Sequence, residues 1–214
     1  MLKTLPKAPE SAESDALSAR QREVLEAALG VLMREGGRLT MAAVAAEANC
    51  SKETLYKWFG GRDGLLTAIV RQQASQVRVE AFESGKIERA ALTARLRQFA
   101  EDWLRVVSSD RSLALNRLAI GHAGDESELG LTVLENGRFA LGQKLKPVLE
   151  AARGAKLLAF SDSEDVFRTF FGLVARDAQI RMLLGERLKL TRATIAAEAA
   201  RAVDQFMKLF EPAK

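Results

Sequence analysis

Histidine and cysteine are almost missing from this chain of 214 residues, which has one of each, His122 and Cys50. A metal site built from several His or Cys ligands, a CxxC redox pair and a disulfide framework are therefore excluded. A helical di-iron centre would need two Glu-x-x-His pairs, and one histidine cannot supply them. Proline is scarce as well: there are 4, and only Pro147 lies between Glu10 and Glu211. Aromatic residues make up 6%, and Ala, Leu, Glu, Arg and Lys prevail, a composition that favours helices over sheet. No apolar run approaches the ~18 residues of a membrane span. Met1–Leu17 lacks the apolar stretch of a secretion signal. A lone cysteine fits a reducing compartment. The expectation is a soluble, cytoplasmic chain with no metal and no cofactor.

Enough apolar material is present, 48% of residues against 28% charged, to build one large domain or a small module fused to a larger one. The net charge is +4, and it is spread thinly. Residues 1–17 hold two basic and three acidic residues, and Ser18–Ser75 hold eight and six. Bulk electrostatics alone therefore does not make a nucleic-acid binder, and local pattern has to carry any such reading.

Residues 1–17 mix Pro, Ser, Ala and both charge signs, as a mobile tail does. Ser18-Ala-Arg-Gln21 is a capping-box pattern that opens a first helix, with Val24, Leu25, Ala28, Val31 and Leu32 in its apolar stripe and Gly36-Gly37 at its end. Thr40 is a good N-cap for a second helix carrying Val44 and Ala48 inward. Asn49 suits a left-handed turn, after which Ser51 caps a third helix with Leu55 and Phe59 on its inner face. Gly60-Gly61 stops that helix. A long fourth helix starts near Arg62 and is expected to reach about Phe82. Beyond it, Leu92, Leu96, Phe99, Trp103 and Val107 form a stripe fit for a bundle core. A helix is expected over Ser112–His122, and another from about Glu126 into the 140s with Pro147 at its end or at a kink. Ser161-Asp-Ser-Glu164 reads as a second capping box, and Thr191 as the cap of the last helix.

Thr40–Phe59 is the informative segment. A short helix, a tight turn and a second short helix with a polar outer face have the layout of a helix-turn-helix, whose second helix enters the major groove. Ala45 and Ala48 are small enough to let the helices cross closely, and Cys50 fits as an apolar plug at the turn. At 100° per residue from buried Leu55, Glu53 and Lys57 point away from the core, with Thr54 and Tyr56 beside them. Lys57 can donate to guanine, Glu53 can accept from cytosine and Thr54 can touch a thymine methyl. Ser51, Lys52, Tyr56 and Arg62 are better placed for phosphates, and Thr40, the cap of the first short helix, is a further candidate for DNA binding. By periodicity alone, an ordinary solvated helix of an all-α protein also fits.

Arg22 to about Arg71 resembles the DNA-binding domain of the TetR family of bacterial transcriptional regulators. The resemblance lies in the ordered run Thr40-x3-Val44-Ala45-x2-Ala48, Ser51-Lys52-x-Thr54-Leu55-Tyr56-x-x-Phe59 and Arg62-Asp63-x-Leu65-Leu66. Two positions depart from the family pattern. Asn49 stands where Gly is usual, and Lys57-Trp58 replaces an aromatic-His pair. The resemblance implies an all-α fold: a mobile tail over 1–17, a helix-turn-helix DNA-binding domain over 18–61, and a helical ligand-binding and dimerisation domain over 62–214. It also implies a ligand-responsive regulator rather than an enzyme, a repressor released from double-stranded operator DNA by a small-molecule effector. The implied state is a homodimer paired through Asp162–Gly185 and Thr191–Phe210, with no membrane partner. Trp103, Asn116, His122, Phe139, Phe171 and Arg176 lie on the expected core helices and are candidates for the effector pocket, although each also fits as a packed core residue. The alternative function is an all-helical adaptor that uses the helix-turn-helix for protein contacts. An enzyme of the helical bundle has no paired-carboxylate or phosphate-loop motif to support it.

Overall fold

The computed structural model describes residues 17–35, 38–82, 87–121 and 129–213. Helix α1 spans Ala19–Arg34, α2 Met41–Glu47, α3 Lys52–Phe59 and α4 Arg62–Ser75. Then come α5 Arg89–Val107, α6 Asp110–Gly121 and α7 Leu129–Val133, which runs through a π-helical segment, Leu134–Phe139, into α8 Ala140–Gly154. The chain closes with α9 Ser163–Ala175, α10 Ala178–Leu183 and α11 Arg192–Leu209. Among the described residues there is no strand, and no helix is long and apolar enough to cross a membrane. The tail over 1–16, Gly36-Gly37 and the helix start near Glu126 lie outside the described residues.

The local signals of the first half are realised as read. Ser18 and Gln21 close a reciprocal capping box. The Thr40 hydroxyl accepts from the Ala43 amide at 3.1 Å, and the Ser51 hydroxyl from the Thr54 amide at 3.1 Å. Asn49 sits at φ 48° and Gly60 at φ 75°, the left-handed positions that end α2 and α3.

Two apolar cores form. The first gathers Val24, Leu25, Val44, Leu55, Leu65 and Ile69 from α1–α4, and also takes Leu115 and Leu118 from α6 and Leu129 from α7. The second packs α5, α8, α9 and α11 around Phe99, Trp103, Phe167, Phe170 and Phe206. The Phe170 ring lies 4.8 Å from Phe206 and 6.0 Å from Phe99. Aromatic contacts of this kind add to simple area burial.

Four expectations change. Helix α4 stops at Ser75, short of Phe82. The Gln76 and Val77 amides close it with bonds three residues back, to the Gln73 and Ala74 carbonyls at 3.2 Å each, and the next amide, of Arg78, donates to the buried Asp102 carboxylate at 3.3 Å. Val77, Val79 and Phe82 then run on as non-helical chain against the second core. Pro147 lies inside α8, which continues to Gly154. Burial of Leu145, Val148, Leu149 and Ala152 on both sides of it offsets the ~3 kcal/mol that an interior proline costs. Ser161 is not the cap of α9, because the Asp162 carboxylate takes that role, accepting from the Glu164 amide at 3.0 Å. The stretch Asp162–Gly185 is two helices, broken at Arg176, whose φ of 46° no α-helix accommodates.

Candidate functional site

Ala45 in α2 and Ala48 at its C-terminal cap are both buried, and the turn to α3 is closed by the Cys50 amide donating to the Ala45 carbonyl at 3.0 Å. Cys50 itself is half-buried against the first core. From α1, Arg20 reaches over this turn and donates to the carbonyl oxygens of Ala48 at 2.6 Å and Asn49 at 3.3 Å. Arg34 of α1 pairs with Glu47 of α2 at 2.5 Å. The turn is thus braced from outside as well as capped from within.

Helix α3 buries Leu55 completely and leaves Ser51, Lys52, Glu53, Tyr56 and Lys57 exposed on its other side. Thr54 is half-buried, its hydroxyl 3.1 Å from that of Ser51. Glu53 sits in the first turn of α3. Its own backbone N–H, the Ser51 hydroxyl and the nearby Lys52 charge hold its carboxyl below the ordinary range, as expected of an acid at a helix N-terminus. Trp58, at the position where the sequence departs from the family pattern, packs half-buried against the first core with its ring 6.3 Å from that of Phe59. Tyr56 and Lys57 therefore form the exposed outer face of the last turn of α3. Arg62 is partly committed elsewhere. Its Nε donates to the Leu39 carbonyl at 3.1 Å, and an Nη lies 3.5 Å from the Asp63 carboxylate.

Gly64 is a positioning residue that the sequence pattern passed over. A Cβ placed there would come within 1.8 Å of the Phe59 carbonyl oxygen, so only glycine lets the end of α3 lie this close to the first turn of α4. A glycine inside a helix, where it costs about 1 kcal/mol relative to alanine, was the available signal.

On the far side of α4 lies a cavity of about 160 Å³ between α4, α5, α6, the π segment and α9. Trp103, Asn116 and Phe171, three of the expected pocket residues, line it together with Gln73 and Arg138. The rings of Trp103 and Phe171 are 3.9 Å apart. The Asn116 amide group donates to the Ser112 carbonyl at 2.8 Å. Phe139 and Arg176 do not line this cavity. Phe139 is exposed beside Arg138, and Arg176 is exposed 3.8 Å from Glu198. His122 lies outside the described residues. No group of His, Cys, Asp and Glu that could hold a metal ion occurs among the described residues.

Helix α4 connects the two regions. Its first turn carries Arg62 beside α3, and its last turns carry Gln73 and Ala74 into the cavity wall. Arg71 also donates to the Asn136 side chain of the π segment at 2.8 Å.

Residues 24–69 match the family model described as bacterial regulatory proteins, tetR family. Residues 94–212 match that of the AefR-like transcriptional repressor, C-terminal domain. A TetR transcriptional regulator from Agrobacterium tumefaciens, known from its crystal structure, is 44% identical over 91% of this chain and 95% of its own, with a TM-score of 0.78. The flavonoid-responsive regulator FrrA is 26% identical over 91% of this chain and 98% of its own, with a TM-score of 0.68. A Mesorhizobium loti protein described as a putative TetR-family regulator shares the fold at 22% identity, covering 90% of this chain and 97% of its own, with a TM-score of 0.71. No curated protein matches the chain.

Proposed function

The chain belongs to the TetR family of bacterial transcriptional regulators, and we propose that it acts as a homodimeric repressor that a small aromatic effector releases from its operator. The observation that carries this reading is the placement of α4, with one end beside the exposed face of α3 and the other in the wall of a cavity. Lys57, Glu53 and Thr54 are assigned to base edges, and Ser51, Lys52, Tyr56, Arg62 and Thr40 to the phosphate backbone. Residues 18–61 form the DNA-binding unit and 62–214 the effector and dimer unit, with α4 shared between their cores. Pairing through the outer faces of α9 and α11 follows family precedent. The flavonoid response of FrrA supports an aromatic effector.

Allostery requires two states that differ in effector affinity. The cavity borders the π segment and the end of α4, so an occupant that moves one against the other tilts α4 and changes the separation of the two α3 helices. A preference for the released state of about 3 kcal/mol weakens operator binding roughly 100-fold. The test is an electrophoretic mobility shift on the chain's own promoter region over a salt series, repeated with effector. Salt-dependent, sequence-preferring binding is expected. A dimer without any such shift would favour the adaptor reading.

A further inference from the structure

The cavity behind α4 has a lining that is apolar and aromatic apart from a few polar groups, and only one of its residues carries a charge. Among the described residues that line it, that one is Arg138, on the π segment. Its guanidinium lies 4.8 Å from the centroid of the Phe171 ring and 5.8 Å from that of Phe167. Among the described residues it has no carboxylate partner, whereas Arg78, Arg105, Arg181 and Arg201 each have one. Gln73 supplies a second, independent observation. It is 6% exposed and lines the same cavity, and its amide nitrogen has no hydrogen-bond partner. Exchanging the two ends of its amide would leave the oxygen unpartnered instead. A buried amide group left without a partner is costly, and the half-buried Arg138 holds its charge against aromatic faces.

We propose that this cavity binds a single-ring aromatic carboxylate, with its ring against Trp103 and Phe171 and its carboxylate on Arg138 and the Gln73 amide. This rests on the effector-responsive reading given above. Charge decides the first half of the assignment. One guanidinium and one neutral donor balance one monoanion, and the planar fork of arginine matches a carboxylate in two hydrogen bonds. A phosphate would carry nearly twice that charge into a site with one cation. Size decides the second half. About 160 Å³ is close to the ~150 Å³ cavity that accepts benzene, so its size matches one ring with its acid group better than a three-ring ligand. The aromatic walls, Trp103 and Phe171 tilted against each other, favour an aromatic ring over an alkyl chain. Such a ligand would bridge Gln73, on the last turns of α4, to Arg138 on the π segment, two elements already joined by Arg71 and Asn136.

The probes are benzoate, phenylacetate and cinnamate, each paired with its neutral amide, together with the three-ring flavonoid naringenin, titrated calorimetrically into the full chain. At least one acid should bind at least about tenfold more tightly than its amide. Arg138→Gln should abolish that preference and Gln73→Leu should reduce it. The chain has 2 tryptophans, so Trp58→Phe leaves Trp103 as the only one, and its fluorescence should respond to the bound acid. The proposal is overturned if no acid binds at millimolar concentration, if the amides bind as tightly as the acids, or if naringenin binds more tightly than every acid. It is also overturned if a folded Arg138→Gln chain keeps the acid preference. If Arg138→Gln does not fold, the acid–amide comparison on the unaltered chain decides. A mobility shift run in parallel separates the two readings: operator binding with no acid binding sinks only this proposal, and no operator binding sinks the regulator reading.

Discussion

Asp102 on α5 holds Arg78 in three places, accepting from its Nε at 2.8 Å, from an Nη at 3.0 Å and from its backbone amide at 3.3 Å. Arg105 and Gln98 add hydrogen bonds at 2.8 and 2.9 Å. This carboxylate, 1% exposed, ties the segment after α4 to the second core by holding the amide and side chain of Arg78. Burial by itself raises the Asp102 carboxyl, but the hydrogen bonds from Arg78 and Arg105 outweigh it and bring it from 3.8 down to about 2. Its contribution to stability is therefore complete above about pH 4 and is lost as the pH falls toward 2. A shift of that size corresponds to about 2 kcal/mol. Asp102→Asn should lose about that much at neutral pH and show a flatter acid limb, read from urea melts across the window.

At Gly64 the constraint is steric. Gly64→Ala puts a methyl group onto the Phe59 carbonyl, so α3 or α4 has to move. The expected cost is ~3 kcal/mol or more, with weakened operator binding because the moved element carries the DNA face. A thermal melt unchanged from the native chain would show that α3 and α4 are not in contact at Gly64.

Lys57→Ala should cost roughly 1–3 kcal/mol at the operator and relax the base preference at one position. A loss equal for all sequences would make Lys57 a phosphate contact. The measurement is competition binding against operators varied one base pair at a time.

Arg62 combines two roles that can be separated. As a phosphate contact, its removal lowers the log–log salt slope by about one unit. As a brace, it holds the Leu39 carbonyl in front of α2. Arg62→Ala should therefore lower both the salt slope and the melting temperature. A reduced melting temperature with an unchanged slope would assign the residue wholly to bracing.

The features legible in the sequence are those whose cause is local. Ser18 with Gln21, Thr40 with Ala43 and Ser51 with Thr54 are partners three residues apart, and Asn49 and Gly60 mark left-handed turns by their residue type alone. Leu92, Leu96, Phe99, Trp103 and Val107 showed their helix by spacing, and all five are buried. Pro147 misled as a helix end because the cost of an interior proline is local, whereas the burial that offsets it comes from other helices. The Ser161 box misled because an acid one residue later competes for the same cap.

The starts of α1, α2 and α3, their caps and the exposed face of α3 followed from the sequence by itself, since each depends on neighbours within a turn or two. Tertiary structure alone decided what Arg20 and Asp102 hold, why residue 64 must be glycine, and that Gln73, Arg138, Trp103 and Phe171 share one cavity. Arg20 meets its acceptors 28 and 29 residues away, and Arg78 meets Asp102 across 24. No periodicity records such pairings, because they arise from how finished helices pack rather than from how each one forms.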